Sequence, residues 1–261
     1  MPPDETTVET TVATVDLGPK FRIGAVLGRA FSTLFRNIVP FGLLALIVYS
    51  PYIVLIAVGL DPMTRAAADP ATIGIAVAIA GFGYTLLAIL LNAAVVYGTV
   101  QDLRGANATV GACLGRGLAT IFPVFGAGLL VWLATSLGMI LLVIPGIIAM
   151  VMLWVAVPVA VVERRGPIKS LGRSRELTKG NRWRILGIVG LVVLIQFGFN
   201  TLSELGLGAA ALEGSLVATV VGLLIGIFFA LLYAVVSAVG YHGLRAAKEG
   251  TDIEQIAAVF D

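Results

Sequence analysis

The sequence predicts an all-α polytopic membrane protein, with six transmembrane helices arranged as three pseudo-repeats of an interfacial amphipathic helix followed by a transmembrane hairpin. Three observations predict it. Hydrophobic residues make up 59% of the 261 residues, charged residues only 12%, and the mean hydropathy is +1.02; a soluble domain has no way to hide so much apolar surface, whereas a bilayer accepts it on every helix face. Apolar runs approaching or exceeding the roughly 20 residues that cross a bilayer core recur six times. Lys and Arg are almost confined to alternate connections between those runs.

Residues 1–19 read as a disordered cytoplasmic tail, because the stretch is acidic and Thr-rich and has no positive n-region followed by an apolar core. The membrane domain is expected over 20–250, with repeats at about 20–105, 106–166 and 167–250, and a short cytoplasmic segment over 251–261. The first repeat opens with "FRIGAVLGRAFSTLFR", in which Ile23, Val26, Leu27, Ala30, Phe31 and Leu34 share one helical face. Arg22, Arg29 and Arg36 recur every seven residues along its edge, the pattern of a helix lying on a membrane surface. Span one follows at about Pro40 to Leu60 and span two at about Thr72 to Val100.

The second repeat opens with "TVGACLGRGLATIF", a weaker amphipathic helix with Val110, Leu114, Gly117, Leu118 and Ile121 on one face, Arg116 opposite and Cys113 toward the headgroups. Beyond it, the apolar run from Ile121 to Val162 is too long for one crossing. Pro145-Gly146 supplies turn-forming residues that divide it into span three, about Pro123 to Ile144, and span four, about Ile147 to Val162. The third repeat opens with "IKSLGRSRELTKGNRWR". Ile168 and Leu177 fall on opposite sides of its helical wheel, so this helix is polar nearly all round and is expected to stand further out of the headgroups. Span five runs from about Ile185 to Leu202, span six from about Leu216 to Tyr241.

The repeat rests on Leu-Gly-Arg occurring before each pair of spans, at 27–29, 114–116 and 171–173, and on "QDLRG", "VERRG" and "YHGLR" closing the pairs. Orientation rests on charge. Of 17 Lys and Arg, only Arg65 falls on the side that also carries Asp61, Asp69, Glu204 and Glu213. Eight lie between spans four and five: Arg164, Arg165, Lys169, Arg173, Arg175, Lys179, Arg182 and Arg184. Burying these would cost roughly 2.5 to 3.5 kcal/mol per cation. The positive-inside rule therefore places both termini and both long loops in the cytoplasm.

Chemistry is sparse. A single cysteine, Cys113, excludes an internal disulfide, and a single histidine, His242, excludes a histidine cluster. No phosphate-cradling glycine loop, Ser-His-Asp order or paired carboxylate is present, so no cofactor and no metal are expected, and no enzyme; an enzyme would need Glu163 or Asp102 at the headgroups. The spans hold no ionisable residue in mid-membrane, where proton-coupled carriers usually keep one. Gln196 and Asn200, one helical turn apart, either hydrogen-bond neighbouring helices or face a polar cavity. Gly222, Gly226 and Ala230 form a small-residue stripe that permits close helix approach, or else a ligand groove continued by Tyr233, Ser237 and Tyr241. Glu163, just before Arg164 and Arg165, is placed to pair with cations of the third interfacial segment.

The string "IPGIIAMVMLWVAVPVAVVERRGPIKSLGRSRELTKGNRWRILG" resembles the membrane domain associated with glycerophosphoryl diester phosphodiesterases and the YciC-like family of bacterial integral membrane proteins. The resemblance rests on Pro145-Gly146, Pro158, Glu163, Gly166, Leu171, Arg173, Ser174, Leu177, Thr178, Gly180 and Trp183, and on Arg245, Glu249, Gly250 and Asp252 in the tail. Arg175 and Gly243 depart from it, standing where the family often has an aromatic and an Asp. It implies a membrane domain without the phosphodiesterase's soluble catalytic barrel.

The expected function is therefore non-catalytic. The basic face, with Arg22, Arg29, Arg36, Arg116, Lys169, Arg173, Arg175, Lys179, Arg182, Trp183 and Arg184, is expected to engage anionic phospholipid and a membrane-protein partner or a second copy of the chain. A basic run of this kind needs to be no more than a topological signal; lipid or partner binding is the functional alternative, since each cation near an anionic surface is worth about 1 kcal/mol. Nucleic acid is not expected, because the run lies against a membrane and lacks interleaved aromatics. A passive transporter or flippase-like carrier of a lipid or amphiphile, using Gln196 and Asn200, is the alternative.

Overall fold

A computed structural model describes residues 21–57, 70–106, 109–209 and 216–260. The elements are, in order, α1 (Ile23–Arg36), α2 (Ile38–Ala57), α3 (Pro70–Leu103), α4 (Val110–Ala119), α5 (Ile121–Leu141), α6 (Val143–Met152), α7 (Ala156–Glu163), α8 (Pro167–Thr178), α9 (Arg182–Ala209) and α10 (Leu216–Phe260). Among the described residues, five stretches are long and apolar enough to cross a membrane: Ala78–Leu103, Ile121–Leu141, Val143–Glu163, Arg182–Gly206 and Ala218–Gly250. A sixth is added if α1 and α2, bent by 72° around Asn37, count as one. The protein is a multi-pass, all-helical membrane protein among its described residues. The tail over 1–19, together with Lys20, Asp61, Arg65, Asp69 and Glu213, lies outside them.

The core is built around α3 and α10. Ala93, Ala94, Val95 and Val96 are all fully buried, so α3 is surrounded on every side at that level. Ala234 to Tyr241 are likewise all buried on α10, and α1, α4 and α7 close the remaining sides. Packing is densest toward the end that carries the cations. At the opposite end Ile75, Ile79, Phe82, Ile140, Leu141, Leu142, Phe197 and Leu202 are exposed, an apolar surface that only lipid or another apolar partner accommodates. On α1, Val26, Ala30 and Leu34 are buried and Ile23, Leu27 and Phe31 pack against the core, as its periodicity requires.

Several expectations are corrected. The break between spans three and four falls at Leu142, which is extended (φ −164°, ψ 139°), not at Pro145-Gly146. Both residues lie in the first turn of α6, where the missing Pro145 N–H has no helical partner to lose. Gly146 serves a contact instead: a Cβ there would meet the Met139 backbone nitrogen at 2.7 Å, and one on Gly138 would meet the Gly146 nitrogen at 2.9 Å.

Span four is itself broken over Leu153 to Val155. Pro158 accounts for the break, since its ring excludes the carbonyl four residues earlier and it offers no N–H. The Ala156 N–H, which would bond Met152 in a continuous helix, bonds the Leu153 carbonyl at 3.0 Å.

The third short helix, α8, does not stand off the bundle. Ser170, Ser174, Leu177 and Thr178 are fully buried, and the helix packs against α5, α6, α7 and α10. Its inward face is made of small hydroxyl residues that satisfy themselves through nearby carbonyls, a face hydrophobic periodicity does not register. Cys113 also turns inward, 3% exposed beside Gly98. A Cβ added at Gly222 or Gly226 would have no atom within 4 Å, so nothing packs closely on those two glycines, whereas one at Gly240 would run into the Trp154 ring.

Candidate functional site at the basic end

The freed Met152 carbonyl is where α8 is fixed. Ser174 Oγ donates to it at 2.9 Å, and the single Thr178 Oγ1–H is shared between it, at 3.2 Å, and the Ser174 carbonyl, at 2.9 Å. Thus Pro158 opens the helix, and two hydroxyls from α8 satisfy the carbonyl that is released. Gly180, with φ of +91°, then reverses the chain into α9.

Above this joint lies a charged cluster that ties α7, α8 and α10 together. Glu163, its side chain 10% exposed, pairs with Arg165 at 2.7 Å and Arg173 at 3.5 Å, and accepts the Tyr241 hydroxyl at 3.0 Å. Arg173 continues to Glu249 at 2.5 Å, and Glu249 pairs with Arg245 at 2.6 Å. Burial works to lower the Arg173 pKa, but Glu163, Glu249 and Glu176 outweigh it and the net shift is upward. The pairing of Glu163 with the third interfacial segment is thereby present. Nothing in the sequence points to Tyr241, Arg245 and Glu249 as members of the cluster, although their four-residue spacing on one helix face is legible.

The cations expected on the basic face divide into two groups. Arg36 pairs with Asp102 at 2.5 Å. Arg116 donates to the Val161 carbonyl at 2.9 Å and lies 5.7 Å from the Tyr97 ring centre, capping the last turn of α7. Burial lowers the Arg116 pKa, with Arg164 adding to the effect and Tyr97 opposing it. With Arg173, these three are held internally.

Lys169, Arg175 and Lys179 are exposed and form no ion pair among the described residues. Arg184 donates to Asn181 Oδ1 at 2.9 Å. Arg22 and Arg29 rim a cavity of about 190 Å³ between α1 and α10, with His242 and the apolar Phe21, Val26 and Val239. Arg182 and Trp183 rim another, of about 500 Å³, between α6 and α9.

Gln196 and Asn200 separate. Gln196 lines a groove of about 290 Å³ with Asn92, Gly226 and Tyr233, where the Asn92 Oδ1 is buried without a hydrogen-bond partner. Asn200 is exposed and does not line it. In the sequence Asn92 stands only as an isolated polar residue, with no periodic neighbour to mark it. Among the described residues no group of three or more His, Cys, Asp or Glu is placed to hold a metal ion. Compared with protein families, characterised proteins and solved structures, the chain has no match.

Proposed function

We propose that the chain is a non-catalytic bacterial inner-membrane protein that organises or modulates a membrane partner, or anionic lipids, through a basic cytoplasmic face. The observation that carries this reading is the division of the cations. Arg36, Arg116 and Arg173 are matched by carboxylates or a helix end, while Lys169, Arg175 and Lys179 stand exposed and form no ion pair among the described residues. Such charges attract an anionic surface with about 1 kcal/mol each. The positive-inside rule supports a cytoplasmic location for this end, the order of short helix followed by long apolar segments supports three repeats, and the residues from Pro145 to Trp183 support membership of the glycerophosphodiesterase-associated, YciC-like family.

The test is flotation with vesicles of phosphatidylglycerol and phosphatidylcholine, together with co-purification from native membranes. Neutralising Lys169, Arg175 and Lys179 is expected to reduce association with the anionic vesicles or with a stoichiometric partner, without altering thermal unfolding. Unchanged association in both assays would overturn the reading.

The second reading, a passive carrier of a lipid or amphiphile, is favoured by the groove at Asn92 and Gln196. A buried amide oxygen without a donor is costly in an apolar surrounding, and a polar ligand would satisfy it. Lipid scrambling or solute flux in proteoliposomes above that of empty vesicles, and lowered by Gln196→Leu, would favour this reading over the first.

A further inference from the structure

We infer that the groove between α6 and α9 is a binding site for a single anionic phospholipid, with Arg182 on its phosphate and an acyl chain against the apolar wall. The inference deepens, and rests on, the reading of the basic face as lipid-binding.

Three features of the groove converge on that ligand. Ile144, Ile147, Ile148, Val151 and Leu186 make its wall almost wholly apolar over about 500 Å³. At its rim, the Nε of Arg182 is buried and has no hydrogen-bond partner. A buried cationic donor left unsatisfied calls for an explanation, and a missing acceptor is the simplest one. Trp183 is 84% exposed beside it, an amphipathic ring of the kind enriched where hydrocarbon meets headgroups.

The occupant must therefore be an anion joined to a long apolar body. A planar guanidinium matches phosphate oxygens in geometry and in charge. A free anion would satisfy Arg182 and leave the apolar wall empty. A neutral hydrocarbon would do the reverse. An anionic phospholipid satisfies both, and the bilayer supplies it alongside these helices.

The experiment is native mass spectrometry of the full-length protein in detergent, titrated with phosphatidylglycerol, with phosphatidylcholine, and with inorganic phosphate as a competitor. The expected result is a saturable single phosphatidylglycerol, bound more tightly than phosphatidylcholine. Arg182→Gln is expected to weaken it by about tenfold or more, since a charge-assisted hydrogen bond is lost. Ile148→Trp fills the groove without touching charge and is expected to weaken binding comparably. Neither residue is fully buried, and thermal unfolding of both variants checks that they fold.

If both variants bind phosphatidylglycerol as the wild type does, the inference is overturned. In that case, loss of binding on neutralising Lys169, Arg175 and Lys179 would leave the basic-face reading standing, and retention would remove its lipid arm too. Equal affinity for phosphatidylcholine, or displacement by inorganic phosphate that is unaffected by Ile148→Trp, would also overturn it, the latter assigning Arg182 to a free anion.

Discussion

Replacing Glu163 by Gln keeps the shape of the side chain and removes its charge. In the native protein this carboxylate receives Tyr241 at 3.0 Å, Arg165 at 2.7 Å and Arg173 at 3.5 Å. The amide retains one acceptor but presents an NH₂ group to a guanidinium, donor against donor. Breaking a fully buried ion pair costs about 3 to 5 kcal/mol. Here the Arg165 and Arg173 side chains are 46% and 22% exposed, and Arg173 keeps Glu249, so water and a second carboxylate recover part of the loss. We expect a destabilisation of about 2 kcal/mol, roughly thirtyfold in the folded-to-unfolded ratio.

Arg36→Gln is the matched control. It breaks one ion pair where Glu163→Gln breaks two, and Arg36 is 61% exposed; exposed pairs contribute about 0 to 1 kcal/mol. Unfolding in mixed micelles with rising SDS, followed by tryptophan fluorescence, reads both variants, because Trp154 packs on Gly240 close to the cluster. Equal midpoints for the two variants, or a Glu163→Gln midpoint indistinguishable from wild type, would refute the assignment of Glu163 as the tie between α7, α8 and α10.

Three further outcomes are expected. Ser174→Ala and Thr178→Val should each cost about 1 kcal/mol or less, and the double variant more than their sum, because either hydroxyl alone satisfies the Met152 carbonyl; additivity in the same SDS titration counts against the shared acceptor. Gly240→Ala should destabilise by about 1 to 3 kcal/mol through the clash with Trp154, whereas Gly226→Ala, with open space around it, should be neutral or slightly stabilising; similar midpoints for the two refute this. Burial raises the Cys113 pKa, so at any given pH less thiolate is present than for a free thiol. Maleimide labelling of the folded protein should be slow at pH 7.5 and become rapid once SDS unfolds it; fast labelling of the native state would place Cys113 at the surface.

Most of the helical elements are legible in the chain alone, although the division of span four into α6 and α7 is not. Spans and short helices are local consequences of apolar length and of amphipathic period, so α1 with its face of Val26, Ala30 and Leu34 can be read directly, as can the alternation of short helices with long apolar segments. The confinement of cations to one end is also a property of the chain. Which polar groups meet is a matter for the folded bundle. The hydroxyls of Ser174 and Thr178 make α8 look polar nearly all round, yet they face inward because Pro158 frees a carbonyl 22 residues before Ser174. Gly240 and Gly226 are the same residue type on one helix; one admits a tryptophan ring and the other faces open space. The cations likewise read alike in the chain, but Arg116 and Arg173 are held by the fold while Lys169, Arg175 and Lys179 are left to the surroundings. Periodicity reports on a residue's own helix, whereas pairing depends on groups brought together across as many as 78 residues, as for Glu163 and Tyr241, and no local pattern encodes that distance.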